Sequence, residues 1–318
     1  MVVPTKDRPE RARRAVELAL AQTRRPERVV LVDASETPCE LSPELRLRAE
    51  GAGVEVVVLQ AAPSTAGQRN RGVEAVESPL VLLLDDDIVV PPEYAGLLLE
   101  RWEAAGLDAL GAVVGSTAPV RGGRVGTWLR RLLLLHVDDP GGAATRLRRS
   151  GKVSYVDRPP AETEIPVVGA GAVLYRTDLA RRHPFDERFP GYALGEDLEM
   201  SSRVAREAPI LQLPEPEYVH EFDSGGRDSP ERWHIRGRRE TYFRLRRLDR
   251  SPLTMAAFGV SVLGELAAAV GASVRERSVR SATGYAQGVW ATLREERRGR
   301  HSRRPAREAS GGVAGEPD

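Results

Sequence analysis

The chain has 318 residues, of which 41% are hydrophobic and 29% charged, and its 47 basic and 46 acidic residues leave a net charge of +1. This composition is typical of a soluble globular protein with one large domain or two ordinary ones. The single cysteine, Cys39, excludes a disulfide framework and a thiolate zinc site, and it fits a reducing compartment. The first residues show no signal-peptide pattern, so we expect a cytoplasmic protein.

Short apolar runs alternate with helical patterns over the first 115 residues. The predicted strands are, in order, "MVVPT", "RVVLVDAS", "VEVVVLQ", "LVLLLDDD" and "DALGAVVGS". The predicted helices between them are "PERARRAVELALAQT", "LSPELRLRAEGAG", "AGQRNRGVEAVES" and "PPEYAGLLLERWEAAG". Apolar strands separated by helices predict an α/β fold with a mostly parallel, Rossmann-like sheet flanked by helices. Ligands of such sheets bind beyond the carboxyl ends of the strands.

The pattern after residue 115 is less regular. The arginine-bearing stretch "VGTWLRRLLLLHV" is helical, and the polar loop from Asp138 to Glu164 is a candidate lid. Two later apolar runs, "IPVVGAGAVLYRTDL" and "ILQLPEPEYVHEF", are predicted strands. From about Arg236 the chain is helical and basic, and its polar end is predicted to be disordered.

The longest apolar stretch runs from Pro252 to Val274 and contains Glu265. A confident spanning helix needs about 20 strongly apolar residues without a charge. Two interpretations remain open: a helix that lies against a membrane surface beside its arginines, and a helix packed on the rest of the protein.

Three consecutive aspartates, Asp85, Asp86 and Asp87, end one of the apolar runs. Two carboxylates about 4 Å apart repel by roughly 4 kcal/mol at an effective dielectric near 20, so we expect a cation beside them. If the strand stays extended, Asp85 and Asp87 point to one face of the sheet and Asp86 to the other. The alternative is a solvated acidic turn that caps the next helix.

Five short motifs in order resemble the family 2 glycosyltransferases, which have the GT-A fold. They are "VVPTKDRP", "LVDAS", "GQRNRGVEAVESPLVLLLDDDIVVPPEY", "GAGAVLYR" and "PFDERFPGYALGEDLEMSSRV", and the resemblance covers roughly residues 1 to 222. It implies inverting transfer of a sugar from a nucleotide-diphosphate donor of UDP, dTDP or GDP type to an acceptor hydroxyl. It also implies a Mn²⁺ or Mg²⁺ cofactor, which suits carboxylate and phosphate oxygens.

Members of this family build cell-surface polysaccharides, glycolipids and glycosides, so we expect an acceptor that is a glycan or is linked to a lipid. The resemblance divides the chain into a nucleotide-sugar-binding half over 1–115 and an acceptor-binding, catalytic half over 116–235. A helical C-terminal extension follows over 236–300, and a disordered tail over 301–318.

The resemblance also assigns roles to the acidic cluster. Asp87 is the expected metal ligand, and Asp86 is expected near the ribose of the donor or the metal. Asp85 either joins the donor site or supports the loop. His220, at the end of the last apolar run, is a second candidate metal ligand, although a lone histidine is often structural.

Asp33 matches the aspartate that accepts a hydrogen bond from the donor base, with the backbone of Pro4 and Thr5 lining the same pocket. A carboxylate accepts only, so it can bind the N–H of uracil, thymine or guanine. The alternative is an aspartate that ends a strand in an Asx-turn with Ser35.

Two further motifs complete the predicted site. In "GQRNRG", Arg69 and Asn70 are expected beside the donor, where a guanidinium clamps phosphate oxygens. In "GEDLEM", Asp197 matches the catalytic base, which takes the proton of the acceptor hydroxyl, and Glu196 is expected at the donor site. Ordinary acidic capping of a helix is the alternative for both carboxylates.

Three other functions would use some of the same residues. In a haloacid-dehalogenase-like phosphatase, Asp85 would be the nucleophile and Asp87 the acid/base. A nucleotidyltransferase should begin with a glycine-rich loop, which is absent, and a catalytically silent partner protein would not need Asp87 and Asp197. Trp233, His234 and the segment "RGRRETYFRLRR" are candidates to cover the donor or acceptor site. The basic helical surface would also attract an anionic membrane; nucleic acid is not expected, since no recognition motif accompanies these charges.

Overall fold

The computed structural model describes residues 1–117, 124–138, 142–169, 171–188, 195–221 and 230–301, so the predicted tail beyond 301 and residues 139–141 of the candidate lid lie outside it. The strands are β1 (Val2–Thr5), β2 (Arg28–Asp33), β3 (Glu55–Gln60), β4 (Leu80–Leu84), β5 (Ile88–Val89), β6 (Ala112–Thr117), β7 (Val137–Asp138), β8 (Arg146–Leu147), β9 (Val153–Tyr155), β10 (Thr163–Glu164), β11 (Ala172–Arg176) and β12 (Ile210–His220). The helices are α1 (Pro9–Leu20), α2 (Pro43–Gly51), α3 (Thr65–Glu74), α4 (Tyr94–Ala105), α5 (Arg124–Leu132), α6 (Thr177–Arg182), α7 (Glu196–Val204), α8 (Pro230–Arg247), α9 (Pro252–Arg275) and α10 (Arg280–His301).

A mixed sheet forms the centre of the molecule, with the strand order β10-β12-β6-β11-β4-β1-β2-β3 and with β5 paired to β12. Strands β1 to β4 run parallel to their neighbours in this half, whereas β11 is antiparallel to both β4 and β6. The predicted α/β fold with a mostly parallel, helix-flanked sheet is confirmed.

The apolar runs explain why the sheet forms there. Val2 pairs with Val30 and Val3 with Leu31, and all four side chains are buried. A strand covered by helices on both faces needs apolar residues at successive positions, which is the pattern of these runs. The large core of the protein lies on both faces of this sheet.

The strand order reverses between β1 and β4. From β1 the chain builds outward through β2 and β3, and then returns to place β4 on the other side of β1. The carboxyl ends of strands on either side of such a reversal diverge and leave a crevice for a ligand. Thr5 ends β1 and the three aspartates follow β4, so both lie at this crevice.

The candidate lid differs from the expected free loop. Its described part contains β8, β9 and β10, and β9 pairs with β7 and β8 in a small sheet. Val153 of β9 is buried against Val167 and Leu198, which fastens the small sheet to the body of the protein. The strand predicted from Ile165 begins only at Ala172.

The three C-terminal helices pack together and onto the body. Trp233 of α8 is buried with Tyr285 of α10 and with Ala269 and Ala272 of α9. The expectation that Trp233 covers the donor or acceptor site is therefore wrong, because its ring fills the core between these helices.

A buried ion pair joins α9 to the small sheet. Lys152 Nζ lies 3.0 Å from Glu265 Oε1 and also contacts Glu240, while Arg236 Nη1 lies 3.3 Å from Glu265 Oε2. Among the described helices, α9 alone is long and apolar enough to cross a membrane by length and composition. Its single acidic residue, Glu265, faces inward onto Lys152.

Close approach of α8 and α10 generates a prediction about stability. A Cβ added to Gly288 would lie 2.1 Å from the carbonyl oxygen of His234, whereas one added to Gly259 of α9 meets nothing within 4 Å. We expect Gly288→Ala to destabilise the fold by about 1–3 kcal/mol through overpacking. Gly259→Ala should be neutral or stabilising by up to about 1 kcal/mol. Urea unfolding of both variants checks this, and equal effects would contradict the packing described.

Candidate active site

The three aspartates form a turn at the end of β4. The strand stops at Leu84, Asp85 N–H donates to the carbonyl of Gly171 (2.8 Å), and Ile88 N–H donates back to the carbonyl of Asp85 (3.1 Å). The expectation that the strand stays extended, with alternating faces, is therefore wrong. The turn instead sends each carboxylate to a different set of partners.

Asp85 belongs to a buried chain of charges. Both of its oxygens accept hydrogen bonds from Arg69 Nη2, at 2.7 and 3.0 Å. Arg69 Nη1 donates to Glu196 Oε1 (2.7 Å), and Arg239 Nη1 donates to Glu196 Oε2 (3.3 Å). Burial raises the pKa of Asp85, and the charge of Arg69 opposes this effect. Arg69 and Glu196 are therefore buried, and their opposite charges make this burial possible. The expectation that both lie at the surface of the donor site is not supported.

Asp86 connects β1 to the turn. Its Oδ2 accepts a hydrogen bond from Thr5 Oγ1 (2.8 Å), and its Oδ1 accepts one from Arg8 Nη1 (3.0 Å). Burial raises the pKa of Asp86, while the bonds from Thr5 and Arg8 lower it. Pro4, the neighbour of Thr5, is buried in β1 opposite Val32 of β2. It therefore belongs to the sheet beneath the crevice and does not line its surface.

Asp87 meets His220. His220 lies opposite Ile88 where β12 pairs with β5, and its Nε2 is 3.1 Å from Asp87 Oδ1. Arg8 and Arg11 lie 4.0 and 3.7 Å from Asp87 Oδ2. Burial raises the pKa of Asp87, but the imidazole and the two guanidinium groups outweigh it and hold the pKa below its usual value. The structure thus brings together the two predicted metal ligands.

Asp87 Oδ1 and His220 Nε2 contact each other directly as a hydrogen-bonded pair. Carboxylates bind Mg²⁺ and Mn²⁺, and imidazole is a common metal ligand, so a divalent cation held by both residues would replace this contact. Within the part of the chain that the structure describes, no three His, Cys, Asp or Glu side chains cluster as a metal site. A cation held here needs oxygens from elsewhere, and Mg²⁺ usually combines one or two protein ligands with waters and substrate phosphates.

Asp33 is fully buried, and hydrogen bonds surround its carboxylate. Oδ1 accepts from the backbone N–H (2.9 Å) and hydroxyl of Ser35, and Oδ2 accepts from Cys39 N–H (2.6 Å) and Gln60 Nε2 (3.2 Å). Four donors leave no acceptor position for a base. The assignment of Asp33 to the donor base is therefore not supported; the Asx-turn alternative is what the structure contains.

Asn70 is half-buried and bonds the segment around Phe185. Its amide donates to the carbonyl of Phe185 (2.9 Å) and to Glu187 Oε1 (2.6 Å), and its oxygen accepts from Phe185 N–H (2.8 Å). These bonds fasten α3 to the segment that approaches α7. The expected contact with the donor is not supported.

Asp197 is the second residue of α7 and is half-buried. Its Oδ1 accepts from Leu198 N–H (2.8 Å), and its Oδ2 faces Gly169, 3.5 Å from where a Cβ would lie. The charges of Arg69 and Arg239 both interact with it. The N-terminus of a helix favours a carboxylate, so Asp197 is a suitably placed proton acceptor.

Sequence reasoning missed two arginines of the site, Arg8 and Arg11, whereas Arg239 lies in the segment "RGRRETYFRLRR" that was expected to cover the donor or acceptor site. Arg8 and Arg11 approach the aspartates, and Arg239 of α8 reaches Glu196. The spacing of Arg8 and Arg11 by three residues places them on one face at the start of α1, which was an available signal. The partner of Arg239 is more than forty residues away along the chain, so no local pattern reveals it.

The bonds to Asp33 generate a prediction about pH. Burial raises the pKa of Asp33, but the hydrogen bonds from Ser35, Cys39 and Gln60 together lower it by more. The net shift of the pKa is therefore downward. A lowered pKa adds stability that is present above the unfolded pKa of about 3.9 and is lost as the pH falls through the folded pKa. We expect Asp33→Asn to cost about 1–3 kcal/mol at pH 7 and progressively less below pH 4. Urea unfolding at several pH values measures the difference, and a constant difference would contradict this explanation.

Comparison with known structures identifies the fold. The structure is similar to GalNAc-T7 with UDP, GalNAc and Mn²⁺ (15% identity, TM-score 0.53), to the mannosyltransferase PcManGT from Pyrobaculum calidifontis with GDP-Man and Mn²⁺ (17%, 0.51), and to S. aureus TarS 1-349 (14%, 0.50). The match covers 81, 95 and 94% of this chain, respectively. It covers 82 and 90% of the last two proteins, but only 53% of GalNAc-T7, so the chain spans about half the length of that relative.

Comparison with sequences identifies the family. A search of curated proteins found no match to this chain. The family model described as glycosyl transferase family 2 matches residues 1–176, more than half of the chain. This range contains the crevice between β1 and β4 and the aspartate turn. The chain therefore belongs to glycosyl transferase family 2, has the GT-A fold, and is a glycosyltransferase.

Proposed function

We propose that this glycosyltransferase moves a sugar from a nucleotide-diphosphate donor to an acceptor hydroxyl, with inversion, at the crevice between β1 and β4. One observation carries the proposal: Arg69 bonds Asp85 of the aspartate turn and Glu196, the neighbour of Asp197. A candidate metal site and a candidate base are therefore connected by one set of ion pairs. Precise positioning of such groups is a main source of enzymatic rate enhancement.

Asp87 and His220 are the proposed ligands of a Mn²⁺ or Mg²⁺ ion. When bound, the cation would act as a Lewis acid that stabilises negative charge on the leaving diphosphate. Two of the solved structures named above contain Mn²⁺ together with UDP or GDP-Man, which supports this choice.

Arg8 and Arg11 are the proposed phosphate contacts. Both lie beside Asp87, and both are partly exposed, unlike the buried Arg69. Partly exposed guanidinium groups can turn toward an arriving diphosphate and donate to its oxygens. Arg69 then has a positioning role, because both of its terminal nitrogens already bond carboxylates.

The nucleoside would lie over the ends of β1 and β2. Thr5 and Asp86 form the floor there, and the backbone of Pro4 supports them. We assign Asp33 the role of holding the turn from Ser35 to Cys39 in place, because its carboxylate has no capacity left for a base.

Asp197 is the proposed base that takes the proton of the acceptor hydroxyl as that oxygen attacks the sugar. The proposed setting is biosynthesis of a cell-surface polysaccharide, glycolipid or glycoside, in the cytoplasm, with a glycan or lipid-linked acceptor. Family membership rules out the phosphatase and nucleotidyltransferase alternatives. A catalytically silent relative would instead fail the two tests below.

The metal assignment predicts donor binding that depends on Asp87. A panel of UDP, dTDP and GDP sugars should include one that binds with Mn²⁺ or Mg²⁺ in calorimetry, and EDTA should remove that binding. Asp87→Asn should weaken donor binding roughly tenfold or more. Even mutations of residues that only hydrogen-bond a metal ligand lower metal affinity by about 10- to 100-fold. The control is Asp108→Asn, an exposed aspartate elsewhere, which should bind as wild type. Binding that ignores both EDTA and Asp87→Asn would contradict the proposal.

The base assignment predicts a loss of turnover without a loss of binding. Asp197→Asn should lower kcat by roughly 10²- to 10⁴-fold, the range of general-base catalysis, and leave donor affinity within a few fold. Asp178→Asn is a matched control, because Asp178 is the second residue of α6 as Asp197 is of α7. Loss of donor binding in Asp197→Asn, or loss of activity in both variants, would indicate a structural role.

A further inference from the structure

Helix α9 exposes a continuous apolar face. The side chains on this face are exposed and recur at alternating intervals of three and four residues, which places them along one side of a helix. They are Leu253, Ala256, Val260, Leu263, Ala267, Val270 and Val274. Exposed apolar residues scattered singly need no explanation, but a contiguous patch of this kind marks an interaction surface.

Two observations show that this face is not simply the back of a core helix. Only 33% of the most apolar window of α9 is buried, whereas a core helix is mostly buried. Between Leu253 and Val274 the single charged residue is Glu265, and its side chain is buried. Water therefore meets only uncharged residues along six turns of this helix, which is unfavourable unless something covers them.

The same helix is not free to cross a bilayer. Glu265 lies near its middle and pairs with the buried Lys152 and with Arg236. Insertion across the hydrocarbon would break these pairs and leave a carboxylate without a partner in lipid, which is costly. The inner face of α9 is thus committed to the protein, and only its outer face is available.

A second helix with exposed apolar side chains, α5, leads directly into a segment that packs on α9. Leu133 and Leu135 of that segment contact the position of Gly264, which lies on the buried side of α9. In the part of α5 whose side chains the structure describes, Trp128, Leu129 and Leu132 are exposed, and two exposed arginines, Arg130 and Arg131, lie between them. Tryptophan and arginine beside aliphatic residues are typical of helices that lie in a membrane interface.

Cations also gather at the end of α9. Arg275, Arg277 and Arg280 are exposed there, and Glu276 is the one acidic residue among them. Basic residues close to a membrane surface add roughly 1 kcal/mol each of attraction to anionic lipids. The charge of this region is therefore complementary to an anionic bilayer.

We propose that the exposed apolar face of α9, here called the docking face, lies in the surface of an anionic lipid bilayer, with Trp128 and the exposed arginines of α5 as further contacts. A second copy of the chain is the main rival occupant. Paired helices in water carry charged residues at the positions that border the apolar seam. On α9 the exposed bordering positions are Gly259 and Ala268, so the docking face is uncharged to its edges, as contact with lipid requires.

Vesicle sedimentation tests this proposal, which does not rest on the proposed reaction because it needs neither donor nor turnover. The full chain should sediment with vesicles of phosphatidylglycerol and phosphatidylcholine, bind less to phosphatidylcholine alone, and be released in part by 1 M salt. Alkaline carbonate should release it completely, since a helix lying on the surface does not span.

A matched pair of variants tests the docking face itself. Leu263 and Leu47 are 66% and 67% exposed, and Leu47 lies on α2, away from α9. Leu263→Asp should lower the vesicle partition coefficient roughly tenfold or more, because it removes a side chain that would be buried in lipid. Leu47→Asp adds the same charge and should bind as wild type. Both variants should keep the thermal unfolding profile of the wild type, as both positions are exposed.

Three outcomes would overturn the proposal. The first is a chain that does not bind anionic vesicles, and the second is equal loss of binding in both variants. The third is a stable dimer in analytical ultracentrifugation that Leu263→Asp dissociates while vesicle binding is absent, which would assign the docking face to a second copy.

Discussion

The site depends on one interaction, the pairing of the Arg69 guanidinium with two carboxylates. The guanidinium lies between Asp85 at the end of β4 and Glu196 at the start of α7; Arg69 and Glu196 are buried, and Asp85 is half-buried. Without it, two carboxylates from distant parts of the chain would repel each other in a medium where that repulsion is strong. Removing one member of such a group leaves an uncompensated charge, so the loss of any one of these three residues would destabilise the positions of the other two.

This internal pairing divides the charged residues into two sets. Arg69 and Glu196 bond each other inside the protein, whereas Asp87, His220 and Asp197 retain partial exposure toward the crevice. The first set positions the second. The three consecutive aspartates therefore have different roles, because Asp85 pairs with the buried Arg69 whereas Asp87 faces His220.

The C-terminal helices use the same device. Lys152 pairs with Glu265 and Glu240, and so attaches α9 to the small sheet that follows α5. Arg239 of α8 reaches Glu196, which links these helices to the catalytic side of the sheet. Because α9 is held by its one acidic residue, its orientation is determined, and its apolar face is directed away from the protein.

The sequence by itself determined the fold class, the family and the edge of the sheet that carries the site, because apolar periodicity and short motifs are local properties. It also identified Asp87 and Asp197 as candidates. Only the tertiary structure decided that Asn70 bonds Phe185 and Glu187, that Gln60 takes the last acceptor position of Asp33, and that Asp87 contacts His220. Ser35 and Cys39 lie close to Asp33 in the chain, but these other partners fold against their residues from tens to more than a hundred positions away, and a side chain's available hydrogen bonds are set by such neighbours.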